Sequence, residues 1–299
     1  MCGRYAATAR PDELIEAYEV VVDASAERSR SLLKSPQEPP PGQPDYNMAP
    51  TKQAPVVLCR SVRSEGEART GPVAGARRGP NSRTATDAPA AVRQLRLLTW
   101  GLVPSWAKDP AIGNRMTNAR VETVLDKPAF ARAAARRRCL VPITGWYEWQ
   151  LSPVAKDAKG KPRKQPFFIS RHDDAPLALA GLYEFWKDPA TPPEDPLSWV
   201  VSFTIITTAA EPGLDRIHDR QPVALEPASW SDWLDPEVTS EADVLALLEA
   251  SHVPGRFQAR AVSTAVNSSR SNGAALLDPI PREQLVGAVD PVSGEVVGV

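Results

Sequence analysis

The sequence predicts an α+β fold, a single compact domain with a mixed, barrel-like β-sheet core and a few flanking helices. Many short segments are rich in β-branched and aromatic residues, as strands are, whereas only a few have helical features. The two types do not alternate regularly, which argues against a doubly wound parallel sheet. With 299 residues and 42% hydrophobic residues, the chain can bury a sizeable core. We expect that domain to span residues 1–280 and to be followed by a C-terminal tail, 281–299.

Eight segments have the composition of strands. In order they are 54–60, 94–104, 138–150, 166–171, 177–186, 199–209, 222–226 and 257–266. Three segments are predicted helices, at 11–21, 127–138 and 240–251. The first begins with Pro11 and has acidic residues in its first turn, both of which favour a helix N-terminus.

Polar segments rich in proline, glycine and arginine interrupt this pattern. We predict disordered insertions at 24–44 and 61–93, because these stretches lack apolar periodicity. The polar segment 152–166 lies between two strand-like runs, so we predict that it is a long hairpin connection.

The overall composition excludes several classes of protein. The formal net charge is −1, so any nucleic-acid partner has to be held by local patches. No apolar run approaches 18 residues and the N-terminus lacks the apolar stretch of a secretory signal, so we expect a cytoplasmic protein without membrane association. The three cysteines and three histidines lack ligand spacing, so we expect no metal and no other cofactor. We expect a monomer.

Cys2 directly follows the initiator methionine. Cysteine is small enough for methionine aminopeptidases to remove Met1, which would leave Cys2 with a free α-amine beside its thiol. An α-amine has a pKa of roughly 7.7–8.0, so part of it is neutral near pH 7 and able to form an imine with an aldehyde. The neighbouring thiol can then close a thiazolidine ring. The alternative is a processed but inert N-terminal cysteine.

Two further motifs contain candidate polar groups. In "TNAR", Asn118 can donate and accept hydrogen bonds, and Arg120 can bind a phosphate; the alternative is an ordinary turn with a salt bridge. In "GWYEW", Glu148 lies among three aromatic residues, and desolvation there would raise its pKa toward the range useful for proton transfer. By strand alternation, the alternative is an exposed Glu148 that points away from the core.

The loop "RIHDRQP" contains His218, a natural proton shuttle near neutral pH, or else a surface histidine. Trp106, in "WGLVPSW", can stack on a base or belong to the core. The basic run "ARAAARRR" is a phosphate-contact patch or, by default, a solvated helix face.

Taken together and in this order, the motifs resemble the SOS-response-associated peptidase family, which processes abasic sites. The resemblance runs from Cys2 to about Ile280. It rests on "MCGRY", "YNMAPT", "WGLVPSWAKD", "TNARVET", "CLVPITGWYEW", "IHDRQPVAL" and "AVNSSRSNG".

The resemblance implies capture of abasic sites in single-stranded DNA through a covalent thiazolidine crosslink. It implies that Cys2 is the crosslinking residue and that Asn118, Glu148 and His218 are the other active-site residues. The DNA-binding residues that it implies are Arg4, Pro50, Trp106, Arg120 and Arg220.

Two other functions remain open on the sequence. One is a self-processing hydrolase or thiol peptidase, in which the α-amine acts as a base for its own thiol. The other is a non-covalent single-strand binding module, which would bind intact and abasic strands alike and would not need Cys2.

Overall fold

The computed structural model describes residues 2–27, 29–61, 91–192 and 194–298. Most of the predicted insertion at 61–93 therefore lies outside the described residues; Ser61 and residues 91–93 belong to strands. The helices are α1 (Pro11–Ala17), α2 (Ala131–Arg136), α3 (Trp230–Leu234) and α4 (Glu241–Ala250). The strands are β1 (Arg4–Ala7), β2 (Val22–Asp23), β3 (Asp45–Met48), β4 (Gln53–Ser61), β5 (Ala91–Trp100), β6 (Asn118–Arg120), β7 (Arg138–Ile143), β8 (Gly145–Lys156), β9 (Pro162–Arg171), β10 (Leu177–Lys187), β11 (Trp199–Ala209), β12 (Arg220–Pro222), β13 (Ala224–Leu225), β14 (Phe257–Ala261), β15 (Ala288–Val289) and β16 (Val296–Val297).

Five strands close into a barrel, which confirms the predicted α+β fold with a mixed, barrel-like sheet. Strands β5, β4, β7, β10 and β11 pair in that order, each antiparallel to the next. Strand β11 then pairs in parallel with β5, where Ser202 lies opposite Thr99. Because this last pairing closes the sheet, neither β5 nor β11 is left as a free edge at the point of closure.

A second sheet packs against the barrel and contains β14, β9, β8, β1 and β3 in that order. Both sheets contribute to one apolar cluster, in which Trp146 and Ile169 of the second sheet join Val56, Leu98 and Phe203 of the barrel. The core therefore lies between the two sheets, with β1 and β8 at the middle of the second sheet.

The helices cover a different face of the barrel. Strand β4 shows the alternation, since Val56 belongs to the intersheet cluster and Val57 to the cluster under the helices. The Trp233 indole N–H of α3 donates to the Cys139 carbonyl of β7 at 2.9 Å, which fixes this short helix on the barrel. In the described part of the chain, no helix is long and apolar enough to cross a membrane.

The predicted strand at 138–150 is in fact two strands that belong to different sheets. Strand β7 ends at Ile143 and β8 begins at Gly145, so that the chain passes from the barrel to the second sheet at Thr144. The predicted connection at 152–166 is mostly strand, because β8 and β9 continue to Lys156 and from Pro162. Both strands thus extend well beyond the body of the sheet.

The predicted insertion at 24–44 and the predicted C-terminal tail both make specific contacts with the domain. Residues 24–44 contain no helix or strand where the structure describes them, but Gln37 is buried and exchanges hydrogen bonds with Gln53. In the predicted tail, β15 pairs with β16, and the side chain of Gln150 exchanges two hydrogen bonds with the backbone of Val289. Both segments therefore satisfy buried polar groups of the domain.

Gly145 stands where the chain enters β8 and has no space for a side chain. A Cβ atom there would lie 2.4 Å from the Ile169 carbonyl oxygen and 2.5 Å from the Phe168 ring. We expect Gly145→Ala to lower the free energy of unfolding by about 3 kcal/mol, the upper range for overpacking, as measured by urea denaturation. Gly42→Ala is the control, since it has no atom within 4 Å and costs only the strain of its φ of +83°. Equal losses for the two variants would contradict this account.

Candidate active site

Cys2 lies two residues before β1 and is fully buried in the intersheet core. Its carbonyl oxygen accepts a hydrogen bond of 2.8 Å from the Asn118 side-chain nitrogen. Burial raises the pKa of the Cys2 thiol well above its ordinary range, and the nearby Glu148 carboxylate raises it further, whereas a hydrogen bond from the Arg4 backbone N–H opposes both. The thiol is therefore neutral at physiological pH and needs a proton acceptor before it can attack.

Asn118 stands on the short strand β6, which pairs in parallel with β11. Ala119 is buried under the helices, so Asn118 and Arg120 point to the other side by strand alternation. Because the Cys2 carbonyl can only accept a hydrogen bond, the side-chain atom of Asn118 that faces it is the amide nitrogen. The other terminal atom of Asn118 is therefore Oδ1. Oδ1 is buried without a hydrogen-bond partner among the described residues, which makes it an available acceptor for a ligand.

Glu148 lies in the middle of β8 and is only 3% exposed. The solvent-exposed alternative is therefore excluded. By strand alternation, Glu148 points to the opposite face of β8 from Tyr147, which packs in a cluster with Ala6 and Phe168. Glu148 shares its face with Trp146 of the intersheet core. Desolvation raises the pKa of Glu148 to about 7. Its carboxyl group can thus both give and take a proton near neutral pH.

His218 follows the 3-10 helix Leu214–Arg216 and is half-buried. Desolvation lowers its pKa, so the neutral imidazole dominates near pH 7. Its Nδ1 lies 3.0 Å from the Arg220 backbone nitrogen and 2.9 Å from an Asp219 carboxylate oxygen. When Nδ1 accepts from Arg220, Nε2 carries the proton and can donate; when Nδ1 donates to Asp219, Nε2 can accept. The local structure supports both tautomers.

The four predicted active-site residues come from four separate parts of the chain, and one hydrogen bond and two charge interactions indicate that they lie near one another. Asn118 binds Cys2 directly, the charge of Glu148 acts on the Cys2 thiol, and the charge of Asp219 next to His218 acts on Glu148. The arrangement combines a buried thiol, an amide that anchors its backbone, and two groups that can exchange protons near pH 7. Their catalytic roles stay predictions.

The predicted DNA-binding arginines differ in their contacts. Arg4 donates from one nitrogen to the Asn47 side chain at 2.7 Å and to the Val266 carbonyl at 3.0 Å. Arg220 makes a two-pronged ion pair with Glu122 at 2.5 and 2.9 Å. Arg120 is exposed and lies opposite Thr207 of β11, whose carbonyl also accepts from Arg220. The last two arginines therefore meet at one end of β11, and their binding of DNA stays a prediction.

Trp106 is 59% exposed, on the connection that follows β5. This exposure excludes the alternative that Trp106 belongs to the core, whereas Trp100 is fully buried. Pro50 is partly exposed and precedes Thr51, whose backbone N–H donates to the Trp100 carbonyl at 2.8 Å. This bond links the connections before β4 and after β5. Base stacking by Trp106 stays a prediction.

Sequence reasoning missed Asn47, which is fully buried and binds the side chain of Arg4. Besides accepting from Arg4, its side chain donates to the carbonyls of Val266, Ser268 and Ser271 at 2.9–3.2 Å. The side-chain oxygen of Asn267 accepts from the Trp149 indole at 2.7 Å. No local signal in "YNMAPT" identifies Asn47, because its burial and its partners near Val266 depend on the fold.

The chain is similar to several known proteins. The family model described as SOS response associated peptidase (SRAP) matches residues 1–269. The abasic site processing protein YoaM of Bacillus subtilis is 33% identical over 280 residues, which are 93% of this chain and 98% of that protein. The abasic site processing protein YedK of Escherichia coli is 31% identical over 182 residues, 60% of this chain and 73% of that protein. A crystal structure of a protein from Bacteroides thetaiotaomicron has the same fold, with a TM-score of 0.64, 21% identity, and coverage of 94% of this chain and all of that one.

Proposed function

Since this chain belongs to the SOS response associated peptidase family, we propose that it captures abasic sites in single-stranded DNA as a covalent thiazolidine on Cys2. Relatives that match over most of this chain are abasic site processing proteins. The observation that carries the proposal is the location of Cys2, which is bound by Asn118 and lies in the field of a Glu148 carboxyl that titrates near pH 7.

The reaction first needs the α-amine of Cys2, which removal of Met1 supplies. A methionine aminopeptidase can act because cysteine is a small second residue. The Cys2 thiol and the Glu148 carboxyl are also the nucleophile and base that a self-processing peptidase requires, so autoprocessing is the second candidate activity. Either route ends with the same N-terminal 1,2-aminothiol.

The abasic sugar then has to open. It is a hemiacetal, and opening transfers the proton of its O1 hydroxyl to a base while the ring oxygen O4′ takes up a proton. His218 suits this step because its Nδ1 can exchange between the Arg220 amide and the Asp219 carboxylate as Nε2 gives or takes a proton. Asn118 Oδ1 is the acceptor that can hold a sugar hydroxyl.

Crosslinking follows in two balanced steps. The amine nitrogen adds to the C1′ aldehyde carbon, and loss of one water gives an imine. The Cys2 sulfur then adds to the imine carbon, while the thiol proton passes to the nitrogen and the five-membered ring closes. Because burial keeps the thiol protonated, Glu148 acts as the base that takes this proton and returns it to nitrogen.

The closed ring protects the site, because β-elimination and strand cleavage need the open aldehyde or the imine. We expect weak lyase activity, because the imine that precedes ring closure can undergo β-elimination. Arg4, Arg120 and Arg220 are the proposed phosphate contacts, and the exposed Trp106 and the partly exposed Pro50 are proposed to stack on or separate the neighbouring bases. Glu122 has to release Arg220 for a two-pronged phosphate contact.

The test uses the processed wild-type chain and a single-stranded oligonucleotide with one abasic site. We expect a band on a denaturing gel that survives heating, with the combined mass of protein and DNA less one water. A tetrahydrofuran analogue and a borohydride-reduced site, neither of which has an aldehyde, should give no band. Absence of a heat-stable band with the aldehyde substrate would falsify covalent capture. Equal binding to intact and abasic strands, without a band, would favour a non-covalent binding module.

A further inference from the structure

The far end of the β8–β9 hairpin has an unusual charge for a chain whose net charge is only −1. Residues 156–164, here called the basic hairpin, read KDAKGKPRK and contain one carboxylate. Its cations are Lys156, Lys159, Lys161, Arg163 and Lys164, and all four lysines are exposed. This concentration of charge lies outside the site described above.

The turn of the basic hairpin is ordered by its own acid. The Asp157 carboxylate accepts hydrogen bonds from the backbone N–H groups of Lys159 and Lys161 at 2.8 and 2.9 Å. The Asp157 N–H in turn donates to the Lys161 carbonyl at 2.8 Å, and Gly160 adopts the positive φ of 75° that the turn requires. The only acidic side chain of the hairpin is thus directed at the backbone.

The five cations of the basic hairpin are unpaired in the described part of the chain, where no ion pair joins them to a carboxylate. Lys156 and Lys164 lie on the two strands, whereas Lys159 and Lys161 lie in the turn between them. Exposed cations spread over both sides of a turn suit an extended chain of phosphates better than one compact anion.

We propose that the basic hairpin binds the phosphate backbone of the DNA that flanks the captured site, a contact that rests on the proposed function. Strand β8 contains Glu148 and leads to the hairpin, and Lys156 lies eight residues beyond Glu148. At about 3.3 Å per residue this distance is at most roughly 26 Å. The hairpin therefore contacts DNA only when the flank is long enough to span that distance.

The test compares the triple variant K159E/K161E/K164E with wild type on two DNA lengths. The probe is a single-stranded oligonucleotide with the tetrahydrofuran analogue and flanks of about 2 or about 20 nucleotides on each side, so that binding is measured without covalent chemistry. On the long DNA we expect at least a tenfold loss of affinity, and a salt slope reduced by about 2, since each lost phosphate contact removes about 0.7–0.9. On the short DNA we expect less than a twofold change.

The matched control is K34E/K127E/K187E, which reverses three exposed lysines that lie outside the hairpin and the candidate site. It should change affinity for either DNA less than twofold. Unchanged binding of the hairpin variant to long DNA, or an equal loss on both lengths, overturns the proposal. Failure of the proposed function would be seen separately, because wild type would then form no heat-stable complex with abasic DNA. If that complex forms, its rate at saturating short DNA should be the same for the hairpin variant.

Discussion

Cys2→Ala is expected to form no heat-stable complex with abasic DNA. The alanine variant keeps the N-terminal amine after Met1 removal but has no sulfur to close the ring, so that only a reversible imine can form. The heat-stable complex that wild type forms should therefore be undetectable for Cys2→Ala on a denaturing gel. Because Cys2 is fully buried, the variant also leaves a small cavity, and its folding is verified by its melting temperature.

Cys2→Ser separates the two functional groups of the residue. It keeps the amine and nearly the same volume, but its hydroxyl is a far weaker nucleophile toward an imine than sulfur. We expect borohydride to trap this variant on DNA and strand cleavage to exceed that of wild type, since the imine persists. A heat-stable complex of Cys2→Ser without borohydride would contradict ring closure by sulfur.

A retained residue ahead of Cys2 should have the same effect as loss of the sulfur. In such a chain the Cys2 nitrogen is an amide, which cannot condense with an aldehyde. Mass spectrometry of the purified chain verifies whether Met1 is present, and the fraction able to crosslink should equal the fraction that lacks it. Crosslinking by a chain that retains Met1 would show that another amine is the nucleophile.

The barrel illustrates what local sequence does and does not determine. Strand composition predicted segments such as 54–60 and 199–209, which are β4 and β11 with small shifts at their ends. The closing pair could not be predicted, because β5 and β11 are about a hundred residues apart and their pairing depends on burial of both. The short strand β1 was missed because its four residues are held as a strand by β3 and β8 on either side.

In the candidate site too, local chemistry could be predicted from the sequence, whereas long-range contacts could not. The residue types that can move protons or form an imine were visible in the motifs, since their chemistry is local. Their partners were not, because Arg4 meets Asn47 across 43 positions and Arg220 meets Glu122 across 98. The short helix α3 was missed for a related reason, since packing of Trp230 and Trp233 stabilises it rather than intrinsic helix propensity.

Glu148→Gln is expected to slow crosslinking and to stabilise the fold. Glutamine has nearly the same shape but cannot transfer a proton, so the rate of complex formation should fall about 100-fold or more. The wild-type rate should show an inflection near pH 7, where Glu148 titrates, and the variant should lack that inflection. The measurement is a series of single-turnover rates from pH 5.5 to pH 8.5 at saturating DNA.

The stability effect has a definite sign. Burial raises the pKa of Glu148 from about 4.5 to about 7, so between these values the folded state binds more protons than the unfolded chain. Wild-type stability therefore falls as pH rises through this window, and the full cost above pH 7 is about 3 kcal/mol. Glutamine has no such cost. The variant should accordingly match wild type near pH 4.5 and exceed it at pH 8 in urea denaturation.

Glu184→Gln is the control, because Glu184 is buried to a similar degree and its carboxylate, whose charge is lost with the substitution, forms an ion pair of 2.6 Å with Arg137. Loss of its charge leaves a half-buried guanidinium without its partner, so that this variant should be less stable than wild type at pH 8 while its crosslinking rate is unchanged. Opposite effects of the two substitutions on stability would show that Glu148 is retained at a cost to folding. If Glu148→Gln lowers stability at pH 8, the carboxyl is a structural partner, and its proposed role as proton acceptor loses its main support.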